Sequence, residues 1–455
     1  MTWESLTRRA RPGLVLAIAL SLAAVAYIAW KIGESPSQAL QVTINGLNVG
    51  AVYALLALGF TLVYSTVWFF DLYYGAAAAM GAYGVFYLRS GQAADQAYDP
   101  GNSLLNIVFG VVIAGVAAWA LHTAFYERFR PRYGRTLLRT VGAALAAAAG
   151  LYGALILWLP DHLHLTTAPL VTAFSGVIVG LTAYWLLRRF RGEAANRRTA
   201  AARMSAVIGL AAGGAAGLFV ALRPEASLYL SWVVSCLLAG CVGLALYRGL
   251  YVLILLRARS TLIMLVATLG VLLTVSALIV IIFTSTTHAL PESLGSQPIA
   301  VGGATFKAFA VFTVGCAFTG FFLLWLLLYR TSLGKVIRAI GDDEQVARVV
   351  GINTTAVIAI VFFIGAVYAA FAGILTGQDL AIQPRMGLEL LLKGWIASVV
   401  GGIGGLYGAI VGGFLLGLVE QFGIWDISGE WQDAVSLLLL VIFLAFWPKG
   451  IIPRT

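Results

Sequence analysis

The chain has 455 residues, of which 61% are hydrophobic and only 11% charged, with 51 glycines and a formal net charge of +10. A soluble domain carries roughly 25% charged residues, so too few charges remain here to coat a soluble fold of this size. The composition excludes a soluble enzyme, a disordered chain and a disulfide scaffold, and leaves an all-α polytopic integral membrane protein.

Apolar runs long enough to cross a ~30 Å hydrocarbon core predict about fourteen transmembrane helices. In chain order they fall near 12–30, 39–64, 67–88, 104–126, 141–159, 168–187, 204–222, 228–247, 261–284, 309–329, 354–376, 389–403, 405–422 and 433–447. The segment near 389–404 is short or broken. Arg8, Arg9 and Arg11 precede the first run, as in a signal peptide. Pro12 follows the arginines directly, however, and residues 1–38 read as a retained N-terminal helix.

The basic residues do not point to nucleic acid. They cluster between apolar runs, as in Arg128, Arg130, Arg132, Arg135 and Arg139, and in Arg188, Arg189, Arg191, Arg197, Arg198 and Arg203. With both termini cytoplasmic and every span alternating, only Lys31, Arg89, Arg223, Lys307, Arg385 and Lys393 of the 29 Lys and Arg fall outside. That asymmetry favours this orientation over its inverse.

Catalytic and cofactor motifs are missing. No G-x-x-x-x-G-K-[ST], H-E-x-x-H or G-x-S-x-G occurs, so no phosphate loop, zinc protease or hydrolase reading is available. Cys236, Cys241 and Cys316 lie in apolar runs without a C-x-x-C pair and read as small hydrophobes. His162 and His164, beside Asp161, fit a solvated loop or a metal site. No cofactor or metal is expected in this chain, and transport or signalling outranks catalysis.

Several local patterns bear on mechanism. Asn45-Gly46-Leu47 through Leu55 reads as a tight packing zone. So does Gly401 through Gly417, where Gly404, Gly408 and Gly412 share one helical face. The doublets Gly401-Gly402 and Gly404-Gly405 weaken the helix, which suits either close packing or a broken helix lining a path. Gly50-Ala51-Val52-Tyr53-Ala54 recurs as Gly365-Ala366-Val367-Tyr368-Ala369, an internal repeat or a chance match in a Gly/Ala-rich chain. Asp71, among Trp68, Phe69, Phe70, Tyr73 and Tyr74, is either a functional intramembrane charge or a helix cap at the inner interface. Glu420 reads as interfacial, near the outer end of its span.

The most informative polar stretch is Gly334 to Ile352. Residues 343–350 read as a short helix with Val346, Val349 and Val350 on one stripe, capped by Asp342 or Asp343 and ended by Gly351. Such a helix suits docking into a groove on a soluble partner, or rest on the lipid surface.

These residues resemble the permease subunits of branched-chain amino-acid-type ABC importers, the LivH/LivM type. That family's coupling loop runs G-x-x-x-R-A-x-x-x-x-x-E-A-A-R-L-x-G-I. Gly334, Arg338, Ala339, Ala347, Arg348, Gly351 and Ile352 match it, while Gln345 and Val346 replace Glu-Ala. Asn45-Gly46-Leu47 through Tyr64, Ala267-Thr268-Leu269-Gly270, Val400 through Ala409 and Phe446 through Ile452 are similar to further family stretches, in order. The family's N-F-A-H-G-E becomes Asp71-Leu72-Tyr73-Tyr74-Gly75-Ala76, which unsettles the usual substrate. The chain also exceeds a typical member in length. The resemblance divides it into a first core part at 39–127, inserted helices at 128–247 and a second core part at 248–455.

The resemblance implies a multi-pass subunit of the bacterial plasma (inner) membrane that is not itself an enzyme. It would pair with a second related permease. Two cytoplasmic ATPase subunits would bind ATP-Mg and dock on Gly334, Arg338, Ala339, Gln345, Ala347, Arg348 and Gly351. An extracytoplasmic substrate-binding protein would deliver a branched-chain amino acid or similar small polar metabolite. Asn45, Gly46, Asp71, Tyr74, Gly401, Gly404, Gly405 and Gly408 are the candidates for the translocation path. A self-contained secondary transporter or channel is the alternative.

Overall fold

The computed structural model of the chain describes residues 27, 30–89, 103–123, 135–191, 195–258, 261–290, 298–301, 303–447 and 449–452. Its helices are α1 (Pro36–Val67), α2 (Tyr73–Arg89), α3 (Ser103–Leu121), α4 (Arg135–Trp158), α5 (Leu163–Arg191), α6 (Ala195–Ala221), α7 (Ser227–Leu246), α8 (Val252–Ala258) and α9 (Thr261–Phe283). They continue as α10 (Ala308–Arg330), α11 (Ser332–Asp342), α12 (Glu344–Val349), α13 (Thr354–Asp379), α14 (Met386–Gly401), α15 (Leu406–Gly423) and α16 (Gln432–Phe446). Between α9 and α10, β1 (Pro298–Val301) and β2 (Ala304–Lys307) form an antiparallel hairpin with Pro298 opposite Lys307. Among the described residues, 11 helices are long and apolar enough to cross a membrane. Every expected span from 39 onward coincides with a helix. The expected 12–30 helix falls largely outside the described residues.

The chain divides into two compact units. The first comprises residues 1–80, 246–278 and 287–455. Its axis is α1, in which 89% of the apolar stretch is buried. α1 is 32 residues long, about 48 Å at 1.5 Å per residue. It crosses α15 through the small residues the sequence spaces four apart. A Cβ on Gly413 would lie 2.3 Å from Ala54 Cα, and one on Gly417 would lie 2.4 Å from Gly50 Cα. Only glycine allows backbones to approach so closely. α13, α14 and α10 surround α1 on its other sides.

The glycine doublets mark a real break. α14 ends at Gly401, and Gly402 and Gly404 take φ +119° and +84° before α15 begins. The break frees the last carbonyls of α14, which would otherwise be orphaned. Val400 O accepts from Ile451 N at 3.0 Å and Gly401 O from Ile452 N at 2.9 Å. The C-terminal segment thus closes the ladder that α14 leaves open. Lys31 Nζ pairs with Asp426 Oδ1 at 2.6 Å in the α15–α16 loop, and this hydrogen bond holds the Asp426 carboxyl below its usual range.

The second unit comprises residues 81–245 and 279–286. It is built from antiparallel helix pairs, α3 with α4 and α5 with α6. α5 and α6 meet at small residues, with a Cβ on Gly209 only 2.6 Å from Gly176 O. Only 6% of the apolar stretch of α5 is buried, as suits a face turned to lipid tails. Leu88, Ile156, Leu157 and Leu163 form a buried apolar cluster in this unit.

Candidate functional site

The polar stretch after α10 folds as an elbow of two helices, α11 and α12. Thr331 opens α11 by accepting from Gly334 N at 3.1 Å. Gly334 sits so tightly that a Cβ would lie 2.2 Å from Leu327 O, which accounts for glycine at the turn. α11 buries Ile337 and Ile340 and exposes Arg338 and Ala339. Of the two candidate caps, Asp343 is used: its Oδ1 accepts from Gln345 N at 2.8 Å and Val346 N at 3.0 Å. Gly351, at φ +92°, ends α12, and Ile352 N returns to Ala347 O at 3.1 Å, a Schellman closure.

The elbow faces outward with a mixed surface. Val346, Val349 and Val350 are 58%, 87% and 76% exposed, too open for three adjacent valines to serve the core of this chain. Gln345 and Arg348 are exposed beside them, whereas Ala347 is buried toward α13. Arg348 pairs with Glu344 at 2.6 Å. Glu344 also accepts from Thr354 Oγ1 at 3.2 Å, tying α12 to the start of α13. The elbow is further held by Trp68, the left-handed C-cap of α1. Its indole Nε1 donates to Gly341 O at 2.9 Å.

The residues singled out for a path do not form one cluster. Asn45 is exposed and accepts from Gln41 Nε2 at 3.1 Å. Gly46 is buried against Gly417 and Leu418 in the α1–α15 crossing. Asp71 is buried at the start of α2, where its Oδ1 accepts from Tyr73 N at 3.1 Å and Tyr251 OH at 3.2 Å. It therefore makes the cap bond, but out of water. Tyr74 is buried with its hydroxyl donating to Leu56 O of α1 at 2.8 Å. Gly401, Gly404, Gly405 and Gly408 gather at the break after α14, with Gly401 and Gly408 in contact.

The other end of the same unit holds a polar centre. Asp379 ends the helix that begins at Thr354 beside the elbow, and 26 residues of helix separate the two ends by about 39 Å. There Lys393 and Glu420, 6% and 0% exposed, form a buried ion pair. Lys393 Nζ also meets Asp433 Oδ1 at 2.8 Å and Ser436 Oγ at 2.9 Å. Glu420 Oε2 accepts from Tyr53 OH at 2.7 Å and Gln432 Nε2 at 3.0 Å, and Ser436 bonds its other oxygen. The network joins α1, α14, α15 and α16. Glu420, read from the sequence as interfacial, is wholly buried within the protein, and Lys393, counted among the outward-facing cations, lies buried inside α14. Each buries because the other neutralises it and neighbouring hydroxyl, amide and carboxylate groups complete its hydrogen bonds.

Beside this network lies a cavity of about 170 Å³, lined among others by Asn48, Tyr53, Asp379, Glu389, Lys393 and Asp433. None of the residues singled out from the sequence for the translocation path lines it. Its signal was present, because ionisable residues inside apolar helices point to function. Among the described residues no cluster suited to a metal ion is found.

A family model for the permease component of branched-chain amino acid transport systems matches residues 197–444. The chain is 36% identical over 172 residues to the high-affinity branched-chain amino acid transport system permease protein LivH of Salmonella typhimurium, covering 36% of this chain and 56% of that one. It is 34% identical over 166 residues to the corresponding permease BraD of Pseudomonas aeruginosa, covering 36% and 54%. It is 28% identical over 188 residues to the fructose import permease protein FrcC of Rhizobium meliloti, covering 36% and 51%. The chain spans about half the length of these curated relatives. No solved structure matches it.

Proposed function

The chain belongs to the family of permease components of branched-chain amino acid transport systems, and from that premise we propose that it is the membrane-spanning permease subunit of an ATP-binding cassette importer. The observation that carries this reading is the α11–α12 elbow. Its two helices are capped by their own side chains, it is anchored to α1 through Trp68, and it presents Val346, Val349 and Val350 to whatever lies beyond. A helix displayed in this way suits a groove on a separate soluble subunit.

In this reading two cytoplasmic ATPase subunits grip the elbow through Arg338, Ala339, Gln345, Arg348 and the exposed valines, with Gly334, Ala347 and Gly351 fixing its shape. ATP-Mg is bound and hydrolysed on those subunits. Their closure swings α11 and α12 as a rigid lever, and the Trp68–Gly341 bond passes the movement to α1 and to the Asp71 turn. A second related permease completes the membrane part, and an extracytoplasmic binding protein delivers the substrate. The complex resides in the bacterial inner membrane with both chain termini in the cytoplasm. The helices after about residue 128 and before residue 197, which precede the residues that the family model matches, are additions to the permease core that meet membrane lipid.

The substrate is a branched-chain amino acid or a similarly small polar metabolite. The names of LivH and BraD support the amino acid, while that of FrcC extends the family to a sugar. The departures from the family stretch at Asp71, Tyr74 and Ala76 favour a substrate that differs from the usual one. The test is reconstitution in proteoliposomes. ATP-dependent uptake that requires both the ATPase subunits and the binding protein supports the proposal. Leucine flux through the purified chain alone, without ATP, would establish a self-contained carrier or channel instead.

A further inference from the structure

The cavity at the Asp379 end of the first unit carries an unbalanced set of polar groups. Lys393 lines it, but its three N–H donors are already committed to Glu420, Asp433 and Ser436. Asp379 and Glu389 also line it, and among the described residues neither has a cation partner. Asp379 accepts from Asn48 and Glu389 from Gln383. The cavity therefore offers negative charge and no free positive charge.

Asn48 is the second observation. It is more than nine-tenths buried and lines the same cavity. Its Nδ2 donates to Asp379 Oδ2 at 2.8 Å. The carboxylate fixes that orientation, since only the amide –NH2 can meet it. Oδ1 is left buried with no donor. Buried acceptors in folded proteins are almost always satisfied, so Oδ1 retains the capacity to accept a hydrogen bond. A ligand group that meets both residues donates a hydrogen bond to Oδ1, and a cationic one also balances the charge of Asp379. Val49, Val52, Leu375 and Leu390 supply apolar wall. The volume of about 170 Å³ is roughly six times that of a liquid water molecule, enough for an amine with a short alkyl body.

We propose that this cavity binds the primary ammonium group of a small aliphatic amine, held between Asn48 Oδ1 and the Asp379 carboxylate, with Glu389 at the rim drawing cations toward it. The inference rests on the permease reading only in taking the amine to be a transported solute. It goes further in one respect. Because Lys393 is fully used, a substrate carboxylate finds no free cation here, so recognition depends on the amino end alone.

The probes are isoamylamine, L-leucine and 4-methylpentanoate, which share an alkyl body and differ in their charged ends. Binding to the full chain in nanodiscs is read by saturation-transfer NMR, with mutual competition. The proposal expects isoamylamine and leucine to bind and compete, 4-methylpentanoate to be at least tenfold weaker, and Asp379→Asn to weaken isoamylamine at least tenfold. Equal binding of the acid, or unchanged amine binding in Asp379→Asn, overturns it. Because the probe series uses the unaltered chain, the test survives a variant that fails to fold. Glu389→Gln, at an exposed position, is expected to weaken the amine severalfold, and no change there removes Glu389 from the proposal. Nanodiscs with and without phosphatidylethanolamine separate a soluble amine from a lipid headgroup ammonium, since the headgroup competes only when present. Capture of ATPase subunits by the same preparation is scored in parallel. Capture without amine binding overturns this inference and leaves the permease reading standing.

Discussion

Replacing Lys393 with methionine tests the buried network that joins four helices. Methionine keeps the length and the apolar stem but removes the charge. Glu420, with no exposed surface, then retains Tyr53 OH, Gln432 Nε2 and Ser436 but has no counter-charge. Breaking one side of a buried ion pair costs about 3–5 kcal/mol. Glu420→Gln should cost less, about 1–3 kcal/mol, because Lys393 keeps Asp433 at 2.8 Å and the amide oxygen still accepts from Tyr53. The double variant removes both charges and should recover at least about 2 kcal/mol relative to Lys393→Met. Equilibrium unfolding in mixed dodecyl maltoside–SDS micelles gives all three values. A Lys393→Met cost below about 1 kcal/mol, or a double variant no more stable than Lys393→Met, would refute the reasoning.

Other consequences are equally direct. Gly413→Val drives two methyl groups into α1, where a Cβ alone meets Ala54 Cα at 2.3 Å. It should cost more than the 1–3 kcal/mol usual for overpacking, visible as loss of folded protein in size-exclusion chromatography. Gly351→Val forces a β-branched residue to φ +92° and should loosen α12 by about 1–3 kcal/mol, weakening ATPase capture while the exposed valines stay intact. Trp68→Phe removes the bond to Gly341 O and should lower substrate moved per ATP hydrolysed more than it lowers ATPase binding. Asp426 is held below its usual range by Lys31. Its contribution is therefore present above the ordinary carboxylate pKa and lost only as pH falls through the lowered value. A spin-label distance between residues 33 and 428 should stay constant from about pH 8 to pH 5 and lengthen only in stronger acid.

The sequence spoke clearly where the determinant is local. Apolar runs located the membrane-length helices between α1 and α16, whereas the short α8 and the amphipathic α11 carry no such run. The glycine doublets announced the break at Gly402 and Gly404, because positive φ is a property of single residues. Asp343 and Gly351 delimited α12 for the same reason. What stayed hidden depends on which helices become neighbours. Lys393 and Glu420 are 27 residues apart on different helices, and no periodicity states that α14 and α15 present them to each other. Asn48 looked like one more member of a small-residue packing zone until α13 brought Asp379 to it. The chain after Val400 gave no hint that Ile451 and Ile452 would close α14. Asp71 was ambiguous for a different reason: its cap bond and its burial are both real, and the sequence offered them as alternatives.

The proposed contact between this chain and a nucleotide-driven motor is the α11–α12 elbow. A photo-crosslinking residue in place of Val349, the most exposed of the three valines at 87%, reads that contact directly in native membranes of the assembled transporter. The account predicts a single prominent adduct with the ATPase subunit, identified by mass spectrometry, whose yield changes when ATP is added. Adducts with lipid alone, or an ATPase adduct no stronger than one from the exposed Leu181 of α5, would contradict it.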